Sequence, residues 1–167
     1  MWMVNQYNRH ERFSDEALSA VSDISVEEMK DHITIREAGW SPDHAELKSL
    51  SERTDPIRWN LYYSLDDLDN SILYQKIDSC LHRGFPIIVG VDVAQLRNRG
   101  TAGGHAIVVT GLTSNRVVIN DPWGEMGEVL SWDTLANAWD PAHLTITTHL
   151  AWDPEVNDAT VRETNER

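Results

Sequence analysis

In the run Gly103-Gly104-His105-Ala106-Ile107-Val108-Val109-Thr110-Gly111, a histidine stands where a buried strand begins. In the next apolar run, Val117-Val118-Ile119-Asn120-Asp121-Pro122-Trp123-Gly124, a carboxylate stands where the strand ends. An imidazole opening one strand beside a carboxylate closing the next brings a base to its orienting acid. The break Thr113-Ser114-Asn115 sets whether they meet. A three-residue loop pairs Leu112 with Arg116 and, by register, Ile107 with Asp121. Asp121 then shares a sheet face with His105, one diagonal away, about 7–8 Å between backbones. A two-residue loop sends Asp121 to the opposite face, so the pair requires an odd loop or a bulge. The plain alternative is a loop-to-strand corner carrying a surface histidine, followed by a simple Asn-Asp-Pro turn.

Composition bounds the rest. With 167 residues and 41% apolar content the chain is expected to form one domain over residues 1–153, with a polar, disordered tail at 154–167. The 27 acids outnumber 14 bases, only three of them lysines (Lys30, Lys48, Lys76), for a net charge of −13. That field repels nucleic acid and anionic lipid, and neither is expected as a partner. Acid excess with scarce lysine is similar to the composition of proteins from halophilic archaea; salt would screen the self-repulsion. No apolar run approaches the roughly 20 residues that span a bilayer, and no signal peptide opens the chain, so a soluble, cytoplasmic protein is expected. One cysteine, Cys80, excludes an intrachain disulfide, and the seven histidines show no metal-ligand spacing, so neither metal nor cofactor is expected.

Helices are expected first and antiparallel strands afterwards, an α+β architecture. Met1–Tyr7 reads as a helix without a cap, and Ser14 caps a second through about Val21. Ser25-Val26-Glu27-Glu28 is a capping box, and Ser41-Pro42-Asp43 opens a further helix. Asp67–His82 presents Leu68, Ile72, Leu73, Ile77, Cys80 and Leu81 on one face and ends at Gly84. Ile57–Tyr63 reads as extended, and Pro86–Val93 as a central strand. Leu96–Gly103 reads as a polar loop whose Arg97 and Arg99 either contact a substrate carboxylate or, more plainly, lie in solvent. Glu128-Val129-Leu130 is a short strand, Ser131 caps a helix reaching about Trp139, and Leu144–Ala151 is the last strand. Trp132 and Trp139 are expected in the core. Trp123 either shields the His105–Asp121 contact or anchors the core.

Gly104–Gly111 with Asn120-Asp121-Pro122-Trp123-Gly124 resembles the His and Asp segments of the papain-like cysteine peptidases related to the bacteriocin leader-processing (double-glycine leader peptidase) domains. Pro86–Val91 before the histidine loop, and Ser131-Trp132-Asp133 with Trp139 after it, extend the likeness over roughly residues 60–150. The resemblance implies a papain-like fold, N-terminal helices on a C-terminal antiparallel sheet. It also implies peptide or amide hydrolysis by a Cys-His-Asp arrangement, with His105 as base and acid, Asp121 as orienter and a peptide or protein as substrate. The family's nucleophile is a cysteine in a Cys-Gly-Pro-like motif opening the first helix, where the helix terminus lowers a thiol's pKa. No such motif occurs in this chain. Met1–Tyr7 is similar to the part of that helix just after the cysteine, so the thiol is expected either a few residues before Met1 or lost. The chain as it stands is then inactive. Cys80 sits mid-helix on an apolar face and reads as a small buried hydrophobe. Ser14 and Ser131 read as caps, and Gln6 lies inside the first helix, so the family's oxyanion glutamine is not carried onto it. A non-catalytic peptide-binding module using the same cleft is the alternative function, and acyl transfer shares its acyl-enzyme step with hydrolysis.

Overall fold

The computed structural model describes residues 24–31, 35–36, 39–40, 44–55, 57–62, 70–98, 100, 103–139 and 145–150. The helices expected within Met1–Val21, the caps at Ser14 and Ser41, Gln6, Arg99 and the tail lie outside the described residues. Two compact units divide the chain between Trp59 and Asn60 and again between Thr148 and His149.

In the first unit, helix α1 (Val26–Lys30) starts at the capping box: Glu28 N–H donates to Ser25 Oγ at 3.1 Å and Ser25 N–H to Glu28 Oε2 at 2.9 Å. That backbone donor, followed by Arg53 at 2.9 Å, lowers the Glu28 carboxyl to about 2. Arg53 is the last residue of helix α2 (His44–Arg53), which buries Leu47 and Leu50. Between the helices lie two-residue strands, β1 (Ile35–Arg36) and β2 (Gly39–Trp40), paired antiparallel. They are too short for a period-two pattern to announce them. Strand β3 (Ile57–Tyr62) begins in this unit, with Ile57 and Trp59 buried and Trp59 Nε1 donating to Thr54 Oγ1 at 3.0 Å, and its residues from Asn60 onward belong to the second unit.

The second unit carries helix α3 (Asn70–His82), strand β4 (Ile87–Asp92), helix α4 (Val93–Arg97), strands β5 (Gly104–Leu112), β6 (Arg116–Asn120) and β7 (Met126–Ser131), helix α5 (Trp132–Ala138) and strand β8 (Thr145–Leu150). The sheet order is β3-β8-β4-β5-β6-β7, and the pairings β8–β4, β4–β5, β5–β6 and β6–β7 are antiparallel, so the architecture is α+β as expected. Alternation sends Ile87, Val89 and Val91 of β4, Ile107 and Val109 of β5, and Val117 and Ile119 of β6 to one face. There they close a core with Leu73, Ile77 and Cys80 of α3, Leu96 of α4 and Leu135 of α5. Ile88 and Val108, paired on the other face, are also buried, which is why β4 and β5 read as unbroken apolar runs.

Ser131 caps α5 as expected, accepting from Thr134 N–H at 3.0 Å. Trp139, at the helix C-cap, is buried and bridges Val91, whereas Trp132 is half-buried, edge-on to Tyr74 at 5.0 Å. The loop expected from Leu96 is not observed at its start. Leu96 and Arg97 are not loop: Asp92 ends β4 and accepts N–H bonds from Ala94 at 2.7 Å and Gln95 at 3.0 Å, starting a helix that buries Leu96. Asn98, left-handed at φ 49°, ends it.

Candidate active site

The β5–β6 register positions the site. Leu112 pairs with Val117 and Gly111 with Val118, so four residues turn the chain rather than three. Continued without interruption, that register would pair Val108 with Asp121 and turn the carboxylate to the opposite face. A bulge between Val109 and Gly111 absorbs the extra residue, and beyond it Val109 pairs with Ile119 and Val108 with Asn120. The register at the histidine end is therefore the one that an odd loop would have produced.

Asp121 follows Asn120 on the face of Ile119, and His105 faces the same way from β5, opposite Val91 of β4. Their side chains, 2% and 5% exposed, meet with His105 Nε2 2.6 Å from Asp121 Oδ1. Asp121-Pro122-Trp123-Gly124 is a turn with proline at its second position. Gly124 N–H donates to the Asp121 carbonyl at 3.0 Å, and Trp123 N–H to Asp121 Oδ1 at 2.8 Å. The second donation is the local bond by which an aspartate shapes its own turn. Gly127 N–H, donating to Asn120 Oδ1 at 2.8 Å, closes the loop onto β7.

The turn aims the Trp123 side chain back over the imidazole. The rings stack with centroids 4.2 Å apart and planes inclined by 21°. Trp123 is 76% exposed, which excludes the core-anchor reading; it covers one ring face and leaves its own outer face to solvent.

Arg97 also reaches the site. Its Nη2 donates to Asp121 Oδ2 and its Nη1 to Glu128 Oε1 at 2.5 Å, so it is not a solvated loop side chain. Glu128 stands opposite Ile119 on β7. Sequence reasoning missed both roles. The signal was present: Asp92 before Val93 and Leu96, a cap followed by apolar residues three apart, marks a helix turn with Arg97 at its end.

Burial pushes the Asp121 carboxyl up, but the hydrogen bonds from Arg97, His105 and Trp123 N–H outweigh it and hold the group below the usual carboxylate range. The hydrogen bonds to Glu128 and Asp121 raise Arg97, a permanent cation. An ionised Asp121 only accepts, so the proton in this contact belongs to Nε2, and in the neutral ring Nδ1 keeps its lone pair. Burial pushes the Cys80 thiol up, and it lies in the last turn of α3, in the core, with Arg83 Nη2 3.9 Å from its sulfur.

Among the described residues no group of three or more His, Cys, Asp and Glu side chains is arranged to hold a metal ion, and no helix is long and apolar enough to cross a membrane. No curated protein matches the chain. The sequence model of the Peptidase_C39 like family matches residues 3–145, and with a buried His–Asp pair on its antiparallel sheet the chain belongs to that family.

Proposed function

We propose that this chain is a cysteine-peptidase-like domain of papain-like arrangement over residues 1–153, with His105 as general base and acid and Asp121 as the group that orients it. The observation carrying this reading is the buried 2.6 Å contact from His105 Nε2 to Asp121 Oδ1, which leaves Nδ1 able to accept a proton. In the reaction, Nδ1 takes the proton of a thiol and the thiolate attacks a peptide carbonyl carbon. The imidazolium, held by Asp121, returns the proton to the departing amine. Water then attacks the thioester carbon, giving a proton to the same nitrogen; the C–S bond breaks, the imidazolium returns that proton to the departing thiolate, and the acid product leaves as its carboxylate. Peptides are the substrate class, in keeping with the family.

The nucleophile is missing from these 167 residues. Cys80 is the one cysteine, and its thiol is buried, protonated and enclosed by core side chains. By itself the chain is therefore inactive toward peptide bonds. That same fact favours a second reading, a non-catalytic module that binds peptides in the former cleft.

Short N-terminal extensions carrying one cysteine at successive positions separate the two. A thiol placed beside Nδ1 becomes a thiolate at a pH where a free thiol stays protonated. At one position iodoacetamide alkylation near pH 6 accelerates about tenfold or more, and His105→Ala abolishes the gain. No accelerated position, or acceleration that survives His105→Ala, rules out the catalytic reading.

A further inference from the structure

We propose that Arg97, itself fixed by Glu128, is a positioning residue for the His105–Asp121 pair, clamping the carboxylate so that Oδ1 stays on Nε2. Its catalytic meaning rests on the function proposed above; its geometry does not. Oδ1 accepts from His105 Nε2 and from Trp123 N–H, while Oδ2 accepts from Arg97 Nη2. A carboxylate held by one oxygen pivots about its Cβ–Cγ bond; held by both, its plane is fixed. The planar fork of Arg97 spans two acceptors at once, which a lysine ammonium does not do in one plane.

Charge supports the same role. Among the described residues, the charged and titratable groups paired with the carboxylate or with its partner are Arg97 from α4, His105 from β5 and Glu128 from β7. Arg97 alone would cancel Asp121 and leave an imidazolium facing no net charge. Glu128 restores one negative charge, so the cluster balances when His105 carries its second proton.

A separate observation points to the same place. A Cβ added at Gly124 would lie 2.8 Å from Arg97 Nη2 and 3.2 Å from both Cβ and Oδ2 of Asp121. Gly124 does not have a left-handed φ, so it is space and not backbone freedom that requires glycine there. The turn closes directly over the ion pair, and a methyl group fits only if the guanidinium shifts from its place against Oδ2.

The test uses the whole 167-residue chain and two nuclear magnetic resonance readouts, the titration of the Asp121 carboxyl carbon and the exchange of the His105 Nε2–H proton with water. Arg97→Ala is expected to raise the Asp121 midpoint toward the ordinary carboxylate range and to speed exchange at least about tenfold. Millimolar guanidinium restores both, and sodium chloride at equal ionic strength does not. Gly124→Ala, which keeps Arg97, shifts both readouts in the same direction and serves if Arg97→Ala does not fold. Unchanged titration and exchange in either folded variant, with only a lower Tm, would overturn the proposal. Neither readout involves a thiol, so failure of the cysteine-extension series removes the proposed function without touching this result.

Discussion

At His105 three neighbours act from different directions: Val91 across the strand pair, Asp121 at Nε2 and Trp123 on the ring face. The position of Asp121 is readable from the sequence, because period-two alternation and one register choice between β5 and β6 place it on the face of His105, whereas Val91 opposite the ring follows from the β4–β5 pairing. Trp123 is not so readable. Its residue type fits a shield or a core anchor equally, and the turn made by the bond from its backbone N–H to Asp121 selects the first by stacking the indole on the imidazole. Cys80 shows the opposite case, where spacing alone was enough: on the same helix face as Ile77 and Leu73, though in the last turn rather than the middle, it is buried as its periodicity requires. It follows that iodoacetamide at pH 8 modifies Cys80 in the native chain at least about a hundredfold more slowly than in the urea-unfolded chain. Equal rates, read by intact mass, would show that the thiol is accessible.

At the scale of elements, the β5–β6 hairpin and helix α4 carry the site. A requirement for an odd loop or a bulge follows from side-chain alternation, but the sequence does not distinguish the two solutions. The structure uses a four-residue turn and a bulge near Thr110, whose effect on register is equivalent. Helix α4 escaped notice because five residues hold barely one turn, and its polar flanks Gln95, Arg97 and Asn98 read as loop. Its start depends on Asp92, which binds two otherwise unpaired N–H groups. Asp92→Ala is expected to cost about 1 kcal/mol, a fall of a few degrees in Tm. The same substitution loosens Arg97 at the other end of the helix, so it also speeds exchange of His105 Nε2–H. An unchanged Tm would mean that α4 is held by Leu96 packing alone.

For the molecule as a whole, charge sets the conditions of folding. The net charge of −13 is a sequence property that no pairing at the site removes. Self-repulsion of this size makes Tm rise with added sodium chloride at pH 7, since the Debye length falls from about 10 Å at 0.1 M to about 3 Å at 1 M. A Tm independent of salt would show that the acids are spaced too widely to matter. Acid acts differently. Asp121 and Glu28 both titrate lower in the folded chain than their usual values, Glu28 at about 2. Their contribution is present in full above the unfolded carboxylate range near 4 and is lost as pH falls through the folded values. Denaturant midpoints are therefore expected to fall between about pH 4 and pH 2, and less steeply in Asp121→Asn, which lacks one of the two groups. The central claim, however, concerns one proton. A nitrogen–hydrogen correlation spectrum of the His105 ring in its neutral form, recorded on the 15N-labelled chain, locates it directly. The account predicts the proton on Nε2, slow to exchange, with a bare Nδ1, and loss of that preference in Asp121→Ala. A proton on Nδ1, or a tautomer indifferent to Asp121→Ala, would contradict it.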